Sequence, residues 1–439
     1  MSELFDPVLA RGEVAEQVSD RAWLQAMLDF EAALARALAA GGLIPAEHAE
    51  QIAVACRAER FDAAEIGAEA AATGNPAAPL ARALRAAVDG AAADEVHRGA
   101  TSQDVLDTAA MLVAQRALAP LLADLTAAAD AAAALAAAHK DTPMAGRTLM
   151  QQAVPTTFGL KAAGWLVALD AAAARLEQVR DTRLAVQFGG AAGTLASLGT
   201  DGVEVAGALA RELGLAEPVL PWHSDRTRPA ELAGALGAAC GVVAKVAQDV
   251  VLLSQTEVAE VREGSDGRGG SSTMPHKRNP VAAVSAQACA RQAPGLVSTL
   301  LAAMAHEHER AAGAWHAEWR PLCELLRSSG SAAAWLRDCL EHLEVDAARM
   351  RANLDLTGGL LLAERVTAAL AGELGRAAAD ELVAGAIAEA QASGRSFAEV
   401  LEARPELGAG RAAELLDPVT YLGSAGAFVE RALKAHAAR

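Results

Sequence analysis

Residues 104–139, "DVLDTAAMLVAQRALAPLLADLTAAADAAAALAAAH", are the stretch whose reading decides the fold. Alanine, the strongest helix former, recurs through it, and only Pro120 interrupts the run. A helix from Asp104 to about His139 would be about 50 Å long, at about 1.5 Å per residue. Further long helices are expected over roughly 156–182, 230–262, 280–310 and 320–344. Each is apolar on more than one side, so each must be covered by a bundle or by other subunits. The fold class expected is all-α, built on a central long-helix bundle.

Outward from that stretch the pattern shortens in both directions. Upstream, Ser19 or Asp20 can cap a helix reading "RAWLQAMLDFEAALARALAA", which ends at Gly41-Gly42. A break follows at "TGNPAAP", residues 73–79. Downstream of about residue 350, "NLDLTGG" and "ASGRSF" divide short helices. Two or three domains are expected from the length, divided as residues 1–108, the central bundle at 109–350 and a small C-terminal domain at 351–439. Only 3% of the residues are aromatic, which leaves little from which to build strands.

A formal net charge of −17 excludes the broad basic face that nucleic acid or an anionic membrane surface requires. It does not exclude an anionic substrate held by a few local cations. The five cysteines, Cys56, Cys240, Cys289, Cys323 and Cys339, are scattered and form no Cys-x-x-Cys pair. Neither a disulfide framework nor a zinc site is expected, and a reducing compartment fits. The N-terminus lacks a signal-peptide pattern. Charges interrupt the apolar stretches before they reach the roughly 20 residues needed to span a bilayer. The expectation is a soluble cytoplasmic protein.

Three polar islands interrupt this apolar chain. The strongest is "GRGGSSTMPHKRNP", residues 267–280. Its glycines can aim backbone N–H groups at an anion, Lys277 adds a positive charge and Asn279 an amide donor. Pro280 can begin the next helix and bring that helix's positive end to the loop. The second island, "HRGATSQD" (97–104), supplies Thr101, Ser102 and Gln103 just before the long helix, where Asp104 also serves as a cap. The third is "GRTLMQQAVPTTFG" (146–159), in which Arg147 and Gln151, four apart, are expected to share one helix face. No metal-ligand spacing or phosphate-loop pattern occurs.

Together, in this order, the islands resemble the signature segments of the fumarase/aspartase superfamily. "GSSTMPHKRNP" is similar to its Gly-Ser-Ser-x-Met-Pro-x-Lys-x-Asn loop, "HRGATSQD" to its His-x-Gly-x-Thr-Ser-x-Asp segment, and "GRTLMQQAVPTTFG" to its Arg-Thr-His-x-Gln-x-Ala-x-Pro segment. Background stretches such as "PWHSDR" (221–226), "GAWHAEW" (313–319) and "RMRANLDLTGGLLLAE" (349–364) resemble the cycloisomerase branch, whose members close a lactone by adding a carboxylate across a double bond. The resemblance implies a cofactor-free enzyme with a polycarboxylate substrate, a homotetramer, and active sites shared among subunits.

It further implies Ser271 as the proton-transfer residue and Lys277 as its catalytic partner. His97, Thr101, Ser102, Arg147, Gln151, Arg226, Ser272, His276 and Asn279 are implied to bind substrate. His223 and His316 read better as structural, and Trp315 and Trp319 as core. Leu149 stands where the wider superfamily has His, and Gln152 where near relatives often have His, so the second acid–base group stays open. Two rival readings accompany this one. A fumarate-releasing lyase would share the loop chemistry. A catalytically silent structural protein of the same fold would be expected to lack Ser271, Lys277 or Asn279.

Overall fold

The computed structural model describes residues 3–264, 268–270, 273–407 and 410–439. It is all-α, with four short strands among the described residues, paired as two small antiparallel two-stranded sheets. The deciding stretch folds as one helix, Ser102–Ala138, which keeps Pro120 inside it. The expected N-terminal helix is Asp20–Ala40, with the Ser19 side chain accepting the Ala22 N–H at its start and Gly41 at its end.

Other boundaries moved, for identifiable reasons. The helix expected over 280–310 is two, Val281–Ala290 and Ala293–Ala302. Pro294 divides them, because proline lacks an N–H and fits only the first turn of a helix. The helix expected from 320 begins at Ala314 and encloses Pro321. The one expected over 230–262 is Thr227–Leu253.

The third island is not helical. It forms a hairpin of β1 (Pro143–Thr148) and β2 (Gln151–Thr157), so Arg147 faces Gln152 across the pair and Gln151 faces Thr148. The expectation that Arg147 and Gln151 share a helix face is therefore wrong. Two consecutive residues at the tip, Leu149 and Met150, adopt φ of 49° and 67°. Positive φ at both central positions makes the two-residue turn that matches strand twist. A bulge at Gly146 absorbs the mismatch, and a Cβ there would lie 2.7 Å from the Val154 carbonyl oxygen. The second pair sets β3 (Val261–Glu263) antiparallel to β4 (Leu343–Val345), with three helices between them in sequence.

The chain divides into two compact units. The first comprises residues 1–126, 171–245 and 285–336, and the second 127–170, 246–284 and 337–439. In the first, the Asp20–Ala40 helix packs on Ala46–Ala55 and Gly202–Leu213, with Phe30, Leu34, Leu38 and Ile52 buried. In the second, Ala363–Leu374 packs on Arg376–Ser393 around Val366, Leu370, Val383, Phe397 and Leu401. Also in the second, the Trp165 indole donates to Asp249 Oδ2 at 2.7 Å.

Two helices, Ser102–Ala138 and Thr227–Leu253, are long and apolar enough to cross a membrane by length and composition. The interruption by charge read from the sequence is thus weaker than expected. Only 39% and 44% of their apolar windows are buried within the chain.

Candidate active site

In the first unit the second island is knit into a buried polar cluster. Asp104 is fully buried and accepts five N–H groups. Thr101 N and Gly190 N reach its Oδ2 at 3.0 and 2.9 Å. Gly189 N, Gln187 Nε2 and His223 Nε2 reach Oδ1 at 3.1, 3.2 and 2.6 Å. The loop 187–190 must approach closely for this. Gly190 has a φ of 65°, and a Cβ on it would meet the Gly99 carbonyl oxygen at 2.9 Å. Sequence reading gave Asp104 only a capping role. The closely spaced glycines of "QFGGAAG" were the available signal for the rest.

His97 sits at the mouth of this island with a φ of 65°, its Nδ1 2.6 Å from Glu31 Oε1. Burial opposes its protonation, but the Glu31 carboxylate, by charge and hydrogen bond, more than compensates and raises the imidazole pKa. Thr101 and Ser102 are partly buried where the long helix begins.

Arg226 lies elsewhere in the cluster and is only 3% exposed. Its guanidinium donates to both oxygens of Asp107, both oxygens of Glu318 and the His223 carbonyl. A guanidinium has five N–H donors, and here all are used. Arg226, expected to bind a substrate carboxylate, is here paired with two buried carboxylates of the protein itself. Trp315 donates to Asp107, and His316 bonds the Gly74 carbonyl, its ring centroid 4.7 Å from that of Trp319 at a tilt of 44°. An apolar cavity of about 330 Å³ lies nearby, between Trp23, Met27, Ile66, Met111 and Trp319. Its charged wall is this same trio together with Asp20 and Arg320.

The second unit carries the other two islands. A polar cavity of about 1040 Å³ is lined by Arg262, His276, Lys277, Arg278 and Asn279, with Glu344 and Asp346 opposing them. Arg262 pairs with Glu344. His276 and Lys277 are exposed on its wall. Ser271 and Ser272 lie outside the described residues.

The loop hangs from a built base. Asn279 donates its backbone N–H and its side-chain amide to the Gly269 carbonyl at 2.8 and 3.0 Å, Gly270 bridges Arg278, and Arg268 grips Asp338 bidentately. One amide hydrogen of Asn279 is thus engaged in closing the loop. The helix that follows is already capped, with Glu263 accepting the Ala282 and Ala283 N–H groups at 3.0 and 2.8 Å. The positive end expected to serve the loop is therefore held by a protein carboxylate, which sequence reading did not anticipate.

On the hairpin, Arg147 makes a bidentate pair with fully buried Glu260, at 2.9 and 2.7 Å, and Asn353 donates to the same carboxylate. Arg147 thereby anchors the hairpin, with about a quarter of its side chain, 26%, still exposed. Gln152 donates to the Asn353 carbonyl. Gln151 is exposed beside the tip, where Leu149 is 98% exposed.

An all-α fold with a cation-lined cavity and a hydroxyl-bearing helix start defines an enzyme that handles carboxylates. The chain belongs to the fumarase/aspartase superfamily: a family model described as lyase matches residues 9–295, and one described as adenylosuccinate lyase C-terminus matches 359–432. Among its relatives, a 3-carboxy-cis,cis-muconate cycloisomerase of Bradyrhizobium diazoefficiens is 49% identical over 99% of this chain and 98% of its own. A nitrosuccinate lyase of Streptomyces davaonensis is 48% identical over 98% of this chain and 94% of its own. The crystal structure of 3-carboxy-cis,cis-muconate lactonizing enzyme from Pseudomonas putida superposes with a TM-score of 0.95 at 45% identity, covering 100% of this chain and 99% of that one.

Proposed function

We propose that this chain interconverts 3-carboxy-cis,cis-muconate and 4-carboxymuconolactone, a step of protocatechuate breakdown. The observation that carries the reading is the 49% identity to a cycloisomerase over nearly all of both chains. The cation-lined cavity around Lys277 supports it. One substrate carboxylate adds to a double bond and a proton reaches the neighbouring carbon. In reverse, a proton leaves the carbon beside a carboxylate and the lactone oxygen departs. Either way, negative charge accumulates on that carboxylate, and fixed donors facing it lower the barrier.

Lys277 and the remaining amide hydrogen of Asn279 take that role. Thr101, Ser102 and Gln151 hold the other carboxylates, and His97, His276 and Ser272 also serve substrate binding. Ser271 transfers the proton, its alkoxide stabilised by Lys277 and the loop N–H groups. The enzyme works in the cytoplasm as a homotetramer of three-domain subunits. Copies of the chain cover the exposed apolar faces of the Ser102–Ala138 and Thr227–Leu253 helices, and the islands of different subunits complete each site. All five cysteines are free thiols, which supports a reducing compartment.

The similarly related nitrosuccinate lyase favours a second reading, β-elimination that releases fumarate. One experiment separates them: ultraviolet absorbance of the purified protein with each substrate, followed by product identification. Rapid loss of the conjugated-diene band with lactone formation is expected, and Ser271→Ala should abolish it. Fumarate from nitrosuccinate, with the diene untouched, would move the assignment to the lyase.

A further inference from the structure

The start of the Ser102–Ala138 helix is capped in an unusual division of labour. At a helix start bearing threonine, the hydroxyl ordinarily accepts a backbone N–H from the first turn. Where an acidic residue stands three positions on, its carboxylate takes the threonine's own N–H, and both bonds form together. Here only the second half is made. Asp104 Oδ2 accepts Thr101 N at 3.0 Å, while Asp104 N donates to the Thr101 carbonyl at 2.9 Å, not to the hydroxyl. Among the described residues, neither the Thr101 nor the Ser102 hydroxyl is engaged by the helix it introduces. The same carboxylate also fixes Gly189, Gly190, Gln187 and His223.

We propose that Asp104 is the positioning residue of this end of the site: by taking over the capping, it fixes the backbone at Thr101 and leaves the Thr101 and Ser102 hydroxyls to a substrate carboxylate. The proposal rests on the functional reading above for the identity of that carboxylate. It differs from a purely structural role in what it predicts. A carboxylate held alike in the ground and transition states contributes to KM and leaves kcat nearly unchanged. Loss of mere stability would lower the active fraction and the melting temperature without altering KM.

Asn at position 104 is nearly isosteric, but its NH2 must face N–H groups that the lost oxygen accepted. Five donors converge on the two oxygens, so neither orientation of the amide satisfies them. The backbone at Thr101 should shift while the helix persists.

The test combines turnover of 3-carboxy-cis,cis-muconate with calorimetric binding of propane-1,2,3-tricarboxylate, a non-reacting probe, to the intact protein. For Asp104→Asn, KM and the probe's Kd should each rise about ten-fold, with kcat within about three-fold of wild type. Thr101→Val should match it, and the double variant should be no worse than either alone, since both act through one contact. Additive losses, or a KM and Kd within about two-fold of wild type in a folded Asp104→Asn protein, would overturn the proposal. If Asp104→Asn does not fold, Gln187→Met, which withdraws one donor from the cluster, must raise the probe's Kd in smaller measure, and an unchanged Kd overturns it. A wild type that binds the probe without turning over the muconate would sink the functional reading and leave this one standing.

Discussion

The start of the Ser102–Ala138 helix and the loop at 268–280 are both polar islands among apolar helices, yet they are built on opposite principles. Around Asp104, almost every polar group is buried and already partnered within its unit. At the loop, only the base is built, by Arg268–Asp338 and by Asn279 on the Gly269 carbonyl, while His276 and Lys277 stand exposed on a cavity wall. The first region spends its charges on itself and leaves hydroxyls free. The second leaves its cation free. Substitutions at the buried ion pairs of the first region should therefore cost stability, those that disturb its free hydroxyls should raise KM, and those at the free cation of the second should lower kcat.

The sharpest way to break this contrast is Arg226→Ala. It leaves Asp107 and Glu318 buried without their guanidinium, and removal of one partner from a buried ionic cluster costs about 3–5 kcal/mol. The urea midpoint and melting temperature should fall steeply, while KM of the surviving folded fraction stays near wild type. A stable variant with a raised KM would instead return Arg226 to the substrate-binding role that its pairing argues against.

Lys277→Met probes the other side. Its ammonium is exposed, so the melting temperature should move little. Loss of a donor facing the developing charge should lower kcat by about 10²–10³-fold. A variant that retains kcat but unfolds early would show that the loop, too, is a structural island.

Much of this was legible in the sequence, for physical reasons that can be assigned. Long alanine-rich runs have one way to be regular, and so both long helices were visible, Asp20–Ala40 with its Ser19 cap and Ser102–Ala138 with its start placed two residues late. The hairpin at 143–157 was not. Its turn residues, Leu149 and Met150, are not the Asn, Asp or Gly that ordinarily announce positive φ, so the local signal pointed to helix. Arg147 and Arg226 were visible as cations, but their consumption by Glu260, Asp107 and Glu318 depends on partners 92 to 119 residues away. Spacing along the chain carries no record of such pairings. Asp104 was visible as a residue of the helix start, though as its N-cap and not, as found, within the first turn accepting the Thr101 N–H. Its hold on Gly189 and Gly190, some 85 residues on, was not.

The mildest test concerns His97, which joins its island to the Asp20–Ala40 helix through Glu31. Because the folded-state pKa of His97 is raised above its ordinary 6.5, folding favours its protonated form. The stability from this pair is fully present below about pH 6.5 and is lost as pH rises through the folded pKa. His97→Gln should therefore cost about 1.5 kcal/mol at pH 6, the scale of a hydrogen bond to a charged group. The difference from wild type should shrink steadily toward pH 9. Urea unfolding of both proteins across that range reads it directly. A difference that widens with pH would mean that His97 is held neutral and that the pair is not ionic. The first region would then owe its rigidity to neutral hydrogen bonds at this edge, and the division between self-neutralised and free charge would have to be redrawn around Arg226 alone.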